Sequence, residues 1–136
     1  MKILCLGDMH FRATHPYSTY IEDGRKSEWD NAIDKVYEVA KKCDVVVQVG
    51  DILHLKNNPS VVVDNLVRFL KGFGDKPIHV LRGNHDLQGT RSALDFLKSV
   101  EHPNWEIYTE PTLAPLIPGG SLKAMFVPFL TPSMVG

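Results

Sequence analysis

The most informative segment of this chain is Ile78-His79-Val80-Leu81-Arg82-Gly83-Asn84-His85-Asp86. Its first four residues form a short, mostly apolar run, which predicts a buried strand. Gly83 then lets the backbone turn sharply, and three polar residues follow it. Ligands of open α/β sheets bind just beyond the carboxyl ends of the strands, which is where these polar residues fall. The alternative is a polar turn in which Asn and Asp serve only as turn formers.

Two similar segments occur earlier in the chain. The apolar run Lys2–Leu6 ends in Gly7-Asp8-Met9-His10, and the run Val45–Val49 ends in Gly50-Asp51. Nearly continuous apolar runs are typical of strands that are covered on both faces, as in a parallel sheet. We therefore expect three buried strands, each followed by polar side chains.

The segments between these runs have the spacing of amphipathic helices. One helix is predicted to start near Ser27 and another at Ser60, where the hydroxyl can cap the first turn. Alternation of strands and helices implies right-handed crossovers and a parallel sheet. All three polar clusters would then lie at one edge of that sheet. Further on, Pro118–Ser121 predicts the turn of an antiparallel hairpin.

Composition narrows the function classes. The chain has 136 residues, the size of one domain, and its net charge of −1 gives no general basic field for nucleic acid. A polyanionic substrate would therefore have to be held locally, by metal or by a few arginines. Cys5 and Cys43 do not suggest a disulfide framework, and no membrane span or signal peptide is visible, so we expect a cytoplasmic protein.

The polar residues that follow the three apolar runs could together form a metal-binding site. Asp8 and His10, two residues apart on a segment taken as extended, would project to one side and could hold one ion. The carboxylate of Asp51 can bridge two ions, and Asn84 offers an amide oxygen. Such mixed donors favour manganese, iron or zinc. Each cluster alone is a weak signal, because an Asp after a strand is commonly a turn or cap residue.

These motifs, D-x-H, G-D and G-N-H-D, resemble the signature of the calcineurin-like metallophosphoesterase superfamily. The resemblance covers residues 1–136 as the N-terminal part of a single domain. It implies an α/β layered sandwich of two sheets flanked by helices, truncated after its first half. Within the superfamily, Leu6–Arg12 and Gly83–Leu87 resemble SbcD-type DNA repair exonuclease subunits of phages and bacteria.

The resemblance also assigns roles to residues. It implies metal ligation by Asp8, His10, Asp51 and Asn84, with Asp51 shared between two divalent ions. Mn²⁺ is the favoured ion, and Fe, Zn and Mg are alternatives. His85 would be the catalytic group that protonates the leaving oxygen or steadies the phosphate.

Other polar residues have weaker assignments. Arg12, His15 and Arg82 are candidates for contact with the substrate. The alternative is that their side chains are simply solvated. His79 alternates within a predicted strand, which indicates a packed histidine. His54 stands where the family often has Asp, and we do not expect it to be a ligand.

The expected function is phosphodiester hydrolysis at two metal ions, by a DNA exonuclease or endonuclease subunit in DNA repair or phage recombination. SbcD-type subunits work with a coiled-coil ATPase of the SbcC type and pair with themselves, so DNA, that ATPase and a second copy are the expected partners. The family's closing G-H-x-H motif does not occur in this sequence. We therefore expect the chain alone to be inactive and to expose apolar sheet surface that promotes self-association. The alternatives are a small-molecule phosphatase or cyclic-nucleotide phosphodiesterase, and a non-catalytic scaffold.

Overall fold

The computed structural model describes residues 1–11, 24–53, 60–84, 87–88, 91–92 and 94–135. Its elements in chain order are β1 (Ile3–Leu6), α1 (Gly24–Ala40), β2 (Val45–Gln48), α2 (Ser60–Lys71), β3 (Ile78–Leu81), β4 (Leu87–Gln88), β5 (Arg91–Ser92), α3 (Asp95–Val100), β6 (Trp105–Tyr108), β7 (Thr112–Pro115), β8 (Lys123–Phe126) and α4 (Pro132–Val135).

The central element is a four-stranded sheet in the order β1-β2-β3-β6. Every neighbouring pair of strands in it is parallel, so the carboxyl ends of β1, β2 and β3 meet at one edge. The strands β7 and β8 form a second, antiparallel sheet across the predicted turn, and β4 pairs with β5. The predicted α/β architecture of two sheets flanked by helices is confirmed.

One face of the parallel sheet packs against the helices. In α2 the apolar residues recur at helical spacing, so a single stripe is buried; its members are Val62, Leu66, Phe69 and Leu70. Phe11 joins this core just after β1, with its ring centroid 5.2 Å from that of Trp29 and 5.3 Å from that of Phe69. This buried ring anchors the segment that carries Asp8 and His10.

The other face of the sheet is covered by the β7–β8 hairpin. His79 is only 2% exposed, and its ring lies parallel to that of Phe126 with centroids 4.6 Å apart. Its Nε2 lies 2.8 Å from the carbonyl oxygen of Leu116, and its Nδ1 lies 2.8 Å from the hydroxyl of Tyr108. Because a carbonyl oxygen only accepts, Nε2 is the nitrogen that donates. The prediction of a packed histidine is confirmed.

Two sequence predictions about these elements are wrong. The first strand is not covered on both faces, because β1 lies at the end of the sheet and the hairpin packs over β2, β3 and β6; Ile3 is 43% exposed and Cys5 is also exposed. The helix α1 begins at Gly24, three residues before the predicted start at Ser27.

Apolar surface is exposed on the hairpin as well. Leu113 and Met125 are cross-strand partners, and each is 60% exposed. This agrees with the expected apolar sheet surface. Self-association through it stays a prediction, which light scattering over a range of protein concentrations would test.

The burial of Tyr108 beneath the hairpin predicts that the free energy of unfolding depends on pH in the alkaline range. Burial, with a smaller contribution from the Glu106 carboxylate, raises the pKa of Tyr108 from 10.0 to about 12. The unfolded chain therefore loses this proton at lower pH than the folded chain does. The resulting stabilisation is present below pH 10 and is lost as the pH rises towards 12.

As the pH rises from 10 to about 12, we expect the free energy of unfolding to fall less in Tyr108→Phe than in the parent chain. Urea unfolding at several pH values measures the difference, because the other titrating groups are common to both proteins. Identical pH profiles for the two proteins would contradict the prediction.

Candidate metal centre

Polar side chains follow the three neighbouring strands within a few residues of each strand's end. Asp8 and His10 come after β1, Asp51 comes after β2, and Asn84 comes after β3. Since these strands are parallel neighbours, their following loops share one edge of the sheet. This arrangement is the one that the apolar runs predicted.

Three of these side chains converge. One potential ligand atom from each of Asp8, His10 and Asp51 lies within 4.8 Å of the others. The Nε2 of His10 is 3.9 Å from the Oδ1 of Asp8. The side chain of Asp8 is 81% exposed and that of His10 is 30% exposed, so an ion could reach the group from solvent.

The backbone at these residues is unusual. In the described residues, positive φ values at non-glycine positions occur at Asp8 (49°), His10 (51°), Asp51 (50°) and Glu101 (53°). Glu101 has a local explanation, because it is the left-handed C-cap of α3. The other three are the converging side chains, and each left-handed residue costs about 1 kcal/mol or more. Strain of this kind that gathers at one point indicates a functional site.

The left-handed conformation of Asp8 and His10 differs from the extended segment that the sequence predicted. Asp8 and His10 were expected to share a side because the segment is extended. Their φ values show instead that the chain turns at both residues. The two side chains still meet, but a turning backbone brings them together.

Backbone hydrogen bonds hold the loops after β1 and β2 side by side. The N–H of His10 donates to the carbonyl oxygen of Asp51 at 3.0 Å, and that of Phe11 donates to Ile52 at 2.7 Å. The N–H of Asp8 donates to the carbonyl oxygen of Gly50 at 3.3 Å. These bonds extend the contact between the strands past their ends. They fix Asp8 and His10 relative to Asp51.

The loop after β3 presses directly on the loop after β2. A Cβ on Gly83 would overlap the backbone nitrogen and a carboxylate oxygen of Asp51, and would lie 2.9 Å from its Cγ. Gly50 has φ of 109°, and a Cβ there would lie 3.1 Å from the Cα of Gly83. Glycine at both positions therefore allows the two loops to approach this closely.

The remaining predicted site residues have different positions. Asn84 directly follows Gly83 and is exposed, and its ligation of metal stays a prediction. Arg82 is 4% exposed, so the solvated alternative is wrong. Its Nη2 donates to the carbonyl oxygen of Phe129 at 2.7 Å, and the N–H of Phe129 donates back to the Arg82 carbonyl oxygen at 2.7 Å. A substrate contact by this side chain stays a prediction, which its burial does not favour.

Four residues with predictions fall outside the described part of the chain; they are Arg12, His15, His54 and His85. Sequence reasoning also missed a residue next to the site. Gln48 interrupts the apolar run Val45–Val49 and is buried beside Gly50. A polar residue inside an otherwise apolar strand was the available signal.

The donor set suits a divalent metal ion. Two carboxylates and an imidazole are ligands of borderline and hard ions, which include Mn²⁺, Fe²⁺ and Zn²⁺. Asp8, His10 and Asp51 are thus the described residues that could hold such an ion.

None of the helices in the described ranges combines the length and apolar character needed to cross a bilayer.

The sequence model of the calcineurin-like phosphoesterase family matches residues 1–127. The matched range includes all the converging side chains, and the match indicates a hydrolase that acts on phosphoesters with the help of divalent metal.

Proposed function

Because the chain belongs to the calcineurin-like phosphoesterase family, we propose that Asp8, His10 and Asp51 hold a divalent metal ion for phosphodiester hydrolysis. The observation that carries the proposal is the convergence of these three side chains on a strained stretch of backbone. Left-handed non-glycine residues that gather at one point are typical of functional sites, where the surrounding structure holds the strain.

Each residue has a defined task in this proposal. Bound metal ions lower the pKa of water and neutralise the negative charge of the phosphate. Asp8 and His10 supply one carboxylate and one imidazole from the same loop. Asp51 would supply a second carboxylate to the metal, and Asn84 would supply a neutral amide oxygen. His85 would protonate the leaving oxygen, an effect typically worth about 10²–10⁴-fold in rate.

DNA is the substrate that we propose. The support is the resemblance of Leu6–Arg12 and Gly83–Leu87 to SbcD-type subunits, together with Arg12 and His15 in the sequence between Phe11 and Arg25. The net charge of −1 is compatible with this, because the metal ions would supply the local positive charge. Mn²⁺ is the proposed ion.

The proposed partners follow from the SbcD-type resemblance alone. They are a coiled-coil ATPase and a second copy of the nuclease subunit. Affinity purification of the product of the complete reading frame from its host, followed by mass spectrometry, tests them. Recovery without any ATPase would argue against this part of the proposal.

The chain itself is expected to show little turnover. Asp8, His10, Asp51 and Asn84 are few donors for two ions, so a second ion would be held weakly. Hydrolysis is therefore best measured on the product of the complete reading frame, with excess Mn²⁺. The substrates are linear duplex DNA, bis(4-nitrophenyl) phosphate and 4-nitrophenyl phosphate.

The outcomes separate the alternatives. Mn²⁺-dependent cleavage of DNA and of the diester, lost in Asp51→Asn, is the expected result. Hydrolysis of the monoester alone would favour a phosphatase. Binding of Mn²⁺ with no turnover of any substrate would favour a scaffold and contradict the proposal.

A further inference from the structure

Gln48 is a buried polar side chain for which the site has no assigned role. It is the last residue of β2, is 1% exposed, and lies between Leu6 of β1 and Val80 of β3 in the register of the sheet. An amide placed among apolar neighbours destabilises the fold unless its polar atoms find hydrogen-bond partners. The hydrogen-bond partners of Gln48 therefore indicate its role in the structure.

Both polar atoms of this side chain are bonded to one residue. The Oε1 of Gln48 accepts from the backbone N–H of Gly50 at 2.9 Å, and its Nε2 donates to the carbonyl oxygen of Gly50 at 2.9 Å. These two groups belong to the peptide bonds on either side of Gly50. The amide thus fixes the orientation of both peptide planes, at a residue whose φ of 109° only glycine adopts readily.

The second of these peptide bonds leads directly into Asp51. Its carbonyl oxygen also accepts from the N–H of Asp8 at 3.3 Å. One peptide group is therefore bonded to the Gln48 side chain, linked covalently to Asp51 and hydrogen-bonded to Asp8. A change in its orientation would move two of the three converging carboxylate and imidazole groups relative to each other.

We propose that Gln48 is a positioning residue of the metal centre, which holds the Gly50 peptide so that Asp8 and Asp51 converge on one ion. This inference rests on the proposed metal-binding function of the site. Hydrogen-bonded partners behind the ligands of a metal typically account for about 10–100-fold in affinity. If Gln48 only stabilised the fold, its substitution would lower the free energy of unfolding and leave the affinity for metal unchanged.

The test uses two substitutions and a matched control. Gln48→Met keeps the length of the side chain and removes both hydrogen bonds. Gln48→Asn keeps the amide but is one methylene too short to reach both groups of Gly50. The control is Val80→Ala, which shortens a fully buried side chain of the neighbouring strand at the position paired with Gln48.

For each protein, Mn²⁺ affinity is measured by electron paramagnetic resonance, and the visible spectrum of bound Co²⁺ reports the geometry of the ligands. Urea unfolding without metal measures stability. We expect both Gln48 variants to bind Mn²⁺ about 10–100-fold more weakly and to shift the Co²⁺ bands. Val80→Ala should lose unfolding free energy while keeping the Mn²⁺ affinity and the Co²⁺ spectrum of the parent.

Failure of this inference is distinguishable from failure of the proposed function. If the parent binds Mn²⁺, Asp51→Asn does not, and a folded Gln48 variant matches the parent in affinity and spectrum, then the role of Gln48 is wrong and the metal centre stands. If the parent binds no more Mn²⁺ than Asp51→Asn does, the metal centre is wrong and the inference falls with it. An equal loss of affinity in Val80→Ala would also overturn it.

Discussion

Asp51→Asn is expected to lower the affinity of the chain for Mn²⁺ by about 100-fold or more, because loss of a direct ligand exceeds the effect of losing a supporting group. The fold should tolerate this change. Asn has the size of Asp and is one of the few residues that adopt the left-handed conformation, which Asp51 has with φ of 50°. We therefore expect the unfolding free energy to stay within about 1 kcal/mol of that of the parent.

The matched control for this change is Asp64→Asn. It removes the same charge from α2, where Asp64 is exposed and its carboxylate lies 3.0 Å from Arg68. Calorimetric titration with Mn²⁺ should give the parent's affinity for this control. Equal weakening in both variants would mean that Mn²⁺ responds to overall charge, which would contradict a site at Asp51.

Gly83→Ala is expected to damage both the fold and the metal centre. The added methyl group would overlap the Asp51 nitrogen and carboxylate. The Asp51 backbone cannot move away easily, since its carbonyl oxygen accepts the N–H of His10. Overpacking of this kind costs about 1–3 kcal/mol. Any relaxation that relieves it displaces Asp51, so Mn²⁺ affinity should fall as well.

Gly74→Ala is the matched control for the glycine substitution. Gly74 has φ of 64°, and a Cβ there meets no atom within 4 Å. The substitution should cost about 1–2 kcal/mol through backbone strain alone. Urea unfolding and Mn²⁺ titration of both variants separate the two effects. Parental Mn²⁺ affinity in Gly83→Ala would show that the contact between Gly83 and Asp51 does not shape the site.

Much of the fold was predictable because apolar runs and glycine turns are local signals. The three runs predicted β1, β2 and β3, and their order predicted a shared edge with Asp8 and Asp51 on it. The exposed face of β1 was not predictable, because it depends on which strands the distant hairpin covers. A periodicity in the sequence of one strand carries no information about that coverage.

The details of the site depend on contacts that local sequence does not encode. Arg82 is buried and donates a hydrogen bond to Phe129, 47 residues later in the chain. The left-handed backbone at Asp8 and His10 is maintained by bonds to the loop after β2. Tertiary packing decides these two features, and residue spacing does not. Gln48 is different, because its bonds to Gly50 are local and a polar residue within an apolar run was a signal in the sequence.

The central claim is that the edge formed by β1, β2 and β3 is a metal centre. The most direct measurement is anomalous X-ray diffraction from crystals of the chain soaked in Mn²⁺. We expect an anomalous peak in contact with the carboxylates of Asp8 and Asp51 and the imidazole of His10, which already lie within 4.8 Å of one another. Bound Mn²⁺ whose anomalous peaks all lie away from these three side chains would contradict the account.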